Sequence, residues 1–146
     1  MSIIEKIRQN ADQDLKFDSA DLDGEALRIP QLHNKYMNLL ADAKMNLRNA
    51  RNEYDVLLRE KWEYYTGKMD AETLARKGWA PFQLRVLKSD LDIYMNSDTD
   101  LIHQKNKIEM REQVRDFLES VVKGIMNRHW QIRSAIDFLK FKHGIN

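Results

Sequence analysis

Near the middle of the chain runs Arg59-Glu60-Lys61-Trp62-Glu63-Tyr64-Tyr65-Thr66-Gly67-Lys68-Met69-Asp70, a stretch that mixes cations with aromatic rings. The chemistry this mixture suits is recognition of an unpaired nucleic-acid strand. The cations Arg59, Lys61 and Lys68 can meet phosphates, and the rings of Trp62, Tyr64 and Tyr65 can stack on bases. The same residues also admit an ordinary reading, in which the tyrosines are core and the cations are solvated. Helical spacing divides the set. Residues two apart point to different sides, so Arg59 aligns with Trp62, while Lys61 aligns with Tyr64, Tyr65 and Lys68. Glu60 places a carboxylate between the two leading cations and weakens the local positive potential.

No other chemistry has a comparable pattern. There is no glycine loop to cradle phosphate and no nucleophile elbow. His33, His103, His129 and His143 form no constellation by spacing, and His33 reads as a core or rim histidine. A calcium loop starting at Asn96 fails, because Leu101 and Lys107 stand where glycine and glutamate are needed. With no cysteine there is no disulfide or thiolate metal site, which fits a reducing compartment. The expectation is a protein without catalytic residues, metal or cofactor, and not an enzyme. No apolar run is long enough to span a bilayer and the first residues lack a signal-peptide core, so a soluble cytosolic protein is expected.

The elements that must hold the stretch are long helices. The 146 residues are 42% hydrophobic and 32% charged, with only two prolines and five glycines to punctuate them. Net charge is +1 but unevenly spread: −3 over residues 1–30, +2 over 31–69, −2 over 70–100 and +4 over 101–146. Met1–Leu15 reads as a short helix with a capping box at Ser2 and Glu5 and a fraying end at Asn10–Asp14. At Phe17-Asp18-Ser19 the chain changes direction, with Asp18 or Ser19 as a cap. The main helix spans about 21–65, with Pro30 either a kink or a first-turn proline. Gly67 ends it in the left-handed region, Asp70 caps a short helix, and Gly78 closes that one. Trp79 and Phe82 anchor the connector that follows. Gln83–Met95 admits strand or helix, and helix is preferred because Leu84, Leu87, Leu91 and Tyr94 share a face. Ser89 and Ser97 or Asp98 are candidate caps. From about Asp98 the chain is helical to its end, with a break near Asn127-Arg128-His129 and Gly144 closing the last helix.

Two apolar seams run along these helices. The first contains Ile29, Tyr36, Leu40, Ala43, Leu47, Ala50, Tyr54, Leu57 and Tyr64, with His33 and Lys61 in seam slots. A seam so narrow on a helix so long needs a partner helix. The second comprises Val114, Leu118, Val121, Ile125, Ile132, Ile136 and Leu139, widened by Phe117, Val122, Met126 and Trp130. Its breadth marks it as the self-association surface. The expected fold is all-α, with long helices packed through heptad-like seams. Residues 1–97 form an N-terminal helical region carrying the 59–70 motif, and residues 98–146 a C-terminal oligomerisation region.

Several islands resemble the UvsY family of phage recombination mediators. They are Phe17-Asp18-Ser19, then Tyr64-Tyr65-Thr66-Gly67-Lys68 with Asp70 at an ungapped interval, then Leu87, Asp90 and Asp92, and Asp98-Thr99 with Leu101. The resemblance covers roughly residues 17–146. It implies a helical, non-enzymatic protein that forms a homo-oligomeric ring of six or seven copies in the cytoplasm of a bacterial host. It implies three further partners: single-stranded DNA, the phage recombinase and the phage single-strand-binding protein that the recombinase must replace. The family's DNA-contacting triplet falls on Arg59-Glu60-Lys61. The rival class is a helical scaffolding or adaptor protein without a nucleic-acid role.

Overall fold

The computed structural model describes residues 1–144, and among these every regular element is a helix. In chain order they are α1 (Ile3–Asp14), α2 (Leu22–Tyr65), α3 (Ala71–Lys77), α4 (Leu91–Asn96), α5 (Thr99–Met126) and α6 (Arg128–Lys142). The all-α expectation holds, and α2 has almost the bounds read from the sequence. Residues 145 and 146, the end of the C-terminal region, lie outside the described residues. The chain forms two compact units, residues 1–45 with 112–146, and residues 46–111. The sequence division at 97/98 falls inside the second unit, between α4 and α5.

The first unit begins with the expected capping box. The Glu5 N–H donates to Ser2 Oγ at 3.3 Å, and the Ser2 N–H donates to the Glu5 carboxylate at 2.8 Å. The C-terminal turn of α1 does not fray. The Asp14 carboxylate accepts from Lys35 Nζ at 2.5 Å and from the Tyr36 hydroxyl at 2.9 Å, which ties the helix end to α2. These bonds, the one from Lys35 first, hold the Asp14 carboxyl below its ordinary range. The start of α2 is not capped by Asp18 or Ser19. Asp21 accepts from the Gly24 N–H at 3.2 Å, while Asp18 turns the chain by accepting from the Ala20 N–H at 2.9 Å. Pro30 sits within α2 on its exposed side, and the helix continues through it.

Seam residues meet inside this unit. Tyr36, Leu40 and Ala43 of α2 pack with Val114, Leu118, Val121 and Ile125 of α5, with Ala11 of α1 against them. The wide α5 face is therefore largely consumed within the chain. Of the seven residues expected to mate with another copy, Val114, Leu118, Val121, Ile125 and Ile132 are buried here, and only Ile136 and Leu139 are exposed. A second chain cannot pack on side chains already covered by the first. Exposed apolar side chains remain on α6, where Trp130 is 57%, Phe138 64% and Phe141 84% exposed.

The break near Asn127 is real, and α6 starts at Arg128. That buried guanidinium lies 3.3 Å from the Glu25 carboxylate and donates to the Leu15 carbonyl. Replacing Leu118, 1% exposed, by alanine should lower the unfolding free energy by about 2–5 kcal/mol, the cost of a cavity at a well-packed site. Urea unfolding measures it, and a loss well under 1 kcal/mol would mean that the α5 seam faces elsewhere.

Candidate nucleic-acid interface

The last turns of α2 present the 59–70 motif within the second unit. Gly67 adopts φ 73°, and the N–H groups of Lys68 and Met69 return to the Glu63 carbonyl at 2.8 and 3.1 Å. This closure stops the helix and folds Lys68 back along it. The next helix starts as expected, with Asp70 Oδ1 accepting from the Thr73 N–H at 2.9 Å, and ends at Gly78 with φ 69°.

The six residues singled out in the sequence separate into two groups. Lys61 points inward and is 5% exposed. Its Nζ lies 3.1 Å from Asp98 Oδ2 and 2.8 Å from Asp100 Oδ2, and 4.0 Å from the centroid of the Trp79 ring. Its charge is thus spent inside the protein, which corrects the expectation that it meets phosphate. Tyr64 and Tyr65 also turn inward. Tyr64 stacks edge-on to Trp79 at 5.4 Å and donates to the Ala80 carbonyl, and Tyr65 meets Phe82 at 5.0 Å and Tyr94 at 5.9 Å. Both rings are half-buried, with faces and edges taken up by this aromatic cluster.

Arg59, Trp62 and Lys68 form the other group and face solvent. The Arg59 side chain is 69% exposed, with only a loose contact to Glu63 at 3.9 Å. Trp62 is 39% exposed, and Lys68 Nζ sits 4.3 Å from its ring centroid. Spacing alone aligned Lys68 with Lys61, but the Gly67 turn carries it to Trp62 instead. Glu60 pairs with Lys77, so its carboxylate is neutralised rather than competing with Arg59.

Asp98 joins these parts. Its Oδ1 accepts from the Leu101 N–H at 3.0 Å, the N-cap bond of α5, while its Oδ2 takes the Tyr65 hydroxyl at 2.6 Å as well as Lys61. Burial alone would raise the Asp98 carboxyl, but bonds from Tyr65, the Leu101 N–H and Lys61 outweigh it and hold the group below its ordinary value. Burial, reinforced by Asp98, pushes the Tyr65 phenol up. Of Ser97 and Asp98, the two caps the sequence offered here, Asp98 is the one used, and Trp79 and Phe82 pack as connector anchors. It missed Asp98, Asp100 and Trp79 as partners of Lys61. The signal available was a lysine in an apolar seam slot, which demands a buried counter-charge.

The connector departs from expectation. Helix is confined to Leu91–Asn96, and Leu84 and Leu87 are exposed. Phe82 is drawn into the ring cluster, and residues 81–87 form no regular element before the turn in which the Asp90 N–H donates to the Leu87 carbonyl. Asp90, not Ser89, stands at the N-cap of α4.

A family model described as the recombination, repair and single-stranded-DNA-binding protein UvsY matches residues 10–145. The chain belongs to the UvsY family. It is 21% identical over 141 residues to the recombination protein uvsY of Enterobacteria phage T4, covering 97% of this chain and 98% of that relative. One crystal structure of the bacteriophage T4 recombination mediator protein UvsY superposes with a TM-score of 0.81 at 22% identity, covering 98% of each chain. A second crystal form gives 0.81 at 19% identity, covering 96% of this chain and 99% of that one. At such identity the structural likeness establishes the shared fold. Among the described residues, no helix is long and apolar enough to cross a membrane, and no cluster of metal-ligating side chains occurs.

Two outcomes follow for the Lys61 site. Lys61→Met should cost about 3–5 kcal/mol of unfolding free energy, because it strands Asp98 without its cation. A near-neutral variant would mean that the lysine is not held inside. Acid should weaken the fold through Asp98. A carboxyl depressed in the folded state contributes stability above its unfolded pKa, about 3.9, and loses it as pH falls through the folded value. Stability should therefore rise from about pH 2 to about pH 5, and Asp98→Asn should flatten that rise.

Proposed function

We propose that this chain is a recombination mediator that binds single-stranded DNA and helps the phage recombinase replace single-strand-binding protein on it, in the cytoplasm of a bacterial host. It acts by binding rather than by catalysis. Family membership favours this reading over a scaffolding or adaptor role. The observation that carries the site is the outward-facing set of Arg59, Trp62 and Lys68, an exposed indole with one cation over its ring and another a turn away. That is the equipment for stacking on an unpaired base while holding its phosphates. Lys61, Tyr64 and Tyr65 serve the face from beneath by fixing the end of α2.

Two or three cations bind a strand weakly, so affinity comes from repetition. A homo-oligomeric ring of six or seven copies sets the same small patch repeatedly along one strand, and linked weak sites bind far more tightly than one. The exposed apolar residues of α6, with Ile136 and Leu139, supply the association surface in place of the buried α5 seam.

A fluorescence-anisotropy titration with a labelled oligonucleotide, run beside a mass measurement, tests both parts. Affinity should fall with salt at a log–log slope of about −0.7 per phosphate neutralised. The double substitution Arg59→Ala with Lys68→Ala should lose strand affinity at least tenfold while fold and assembly mass stay unchanged. Salt-independent binding, or full affinity in the double variant, would contradict the assignment.

A further inference from the structure

Between α2 and α4 lies a groove of about 440 Å³ that neither helix fills, a size typical of small-ligand sites, which run from about 300 to 1,000 Å³. Helical periodicity builds it. Leu58, Arg59 and Trp62 share one face of α2, and Met95 and Asn96 lie on the facing side of α4 with Asp92 a turn earlier. Trp62 and Leu58 are exposed apolar walls and Met95 is a buried floor. Arg59 stands at the lip with its guanidinium largely in solvent.

We infer that this groove is a subsite for a single nucleobase of the bound strand and that it favours bases bearing an exocyclic amino group. The inference rests on the single-stranded DNA reading above and adds a preference that stacking alone would not supply, because every base has a face to stack. A planar ring fits between the indole and the apolar floor, and its own phosphate falls to Arg59. The interior does not suit the phosphate itself, since Asp55 and Asp92 both line it. The occupant must instead supply donors. Among the described residues, the side chains of Asp92 and Asn96 are exposed and take part in no hydrogen bond within the protein. An ionised carboxylate can only accept, so the complement of Asp92 is an N–H on the base edge: the amino group of cytosine or adenine, or the paired donors of guanine. Thymine and uracil offer only N3–H on that edge, flanked on both sides by carbonyl oxygens that oppose the carboxylate, acceptor against acceptor. Asn96 can donate or accept and discriminates less.

Cytosine and uracil differ at this one edge, so the test compares labelled dC and dU oligomers of equal length by anisotropy at one salt concentration. The full-length protein should bind dC more tightly by about fivefold, the lower part of what a good base-edge contact gives. Asp92→Asn, at an exposed position, should bring the ratio to about one, with dU affinity kept or raised because the amide can donate to the uracil oxygen. Equal affinities in the unsubstituted protein, or a dC preference that survives Asp92→Asn, would overturn the subsite while leaving strand binding intact. Failure to bind either oligomer in dilute buffer would overturn the strand-binding reading itself, and the subsite with it.

Discussion

The second unit depends on one ammonium group taken out of water. Lys61 Nζ lies between Asp98 and Asp100, with the Trp79 ring 4.0 Å away. Desolvating an ammonium and a carboxylate costs several kcal/mol for each ion, so the pair holds only with good geometry and with its remaining oxygens bonded. Asp98 meets that condition, because the Tyr65 hydroxyl and the Leu101 N–H take up the oxygen capacity that Lys61 leaves. The arrangement is direction-specific in a way that apolar packing is not. It fixes the end of α2 to the start of α5 and to the connector that carries Trp79.

The rotation of α2 follows from that contact. With Lys61 inward, a helix turning about 100° per residue must carry Arg59 and Trp62 outward. Gly67 then reverses the chain tightly enough to lay Lys68 across Trp62. Cations that look alike in the sequence are thereby sorted, one for the fold and two for solvent. A chain with a net charge of only +1 has no broad basic field to draw DNA. The proposed strand binding therefore relies on a sparse local patch repeated by the proposed self-association.

Much of the fold was legible because it rests on local signals. Helix bounds at Ser2, Gly67, Asp70, Gly78 and Asp98 follow from capping chemistry that reads the same in sequence and structure. The first seam was legible from its spacing, since Tyr36, Leu40, Ala43, Leu47 and Ala50 are all buried. What spacing could not convey was which neighbour covers a face. The α5 seam looked like a mating surface and instead closes on α1 and α2, because breadth of an apolar face does not say whether its cover lies in the same chain. Spacing was silent in the same way on which site residues turn inward. Lys61 meets carboxylates 37 and 39 residues further along, and a long-range charge pair leaves no periodic trace. Lys68 lies beyond the end of the helix, where helical alignment no longer applies.

The division of labour among the lysines is tested most directly by chemical labelling. An amine-reactive reagent applied with and without a single-stranded oligonucleotide, and read residue by residue by mass spectrometry, should modify Lys68 in the free protein and spare it when the strand is bound. Lys61 should stay unmodified in both states. A Lys61 that reacts freely in the absence of DNA and becomes protected by it would contradict the account.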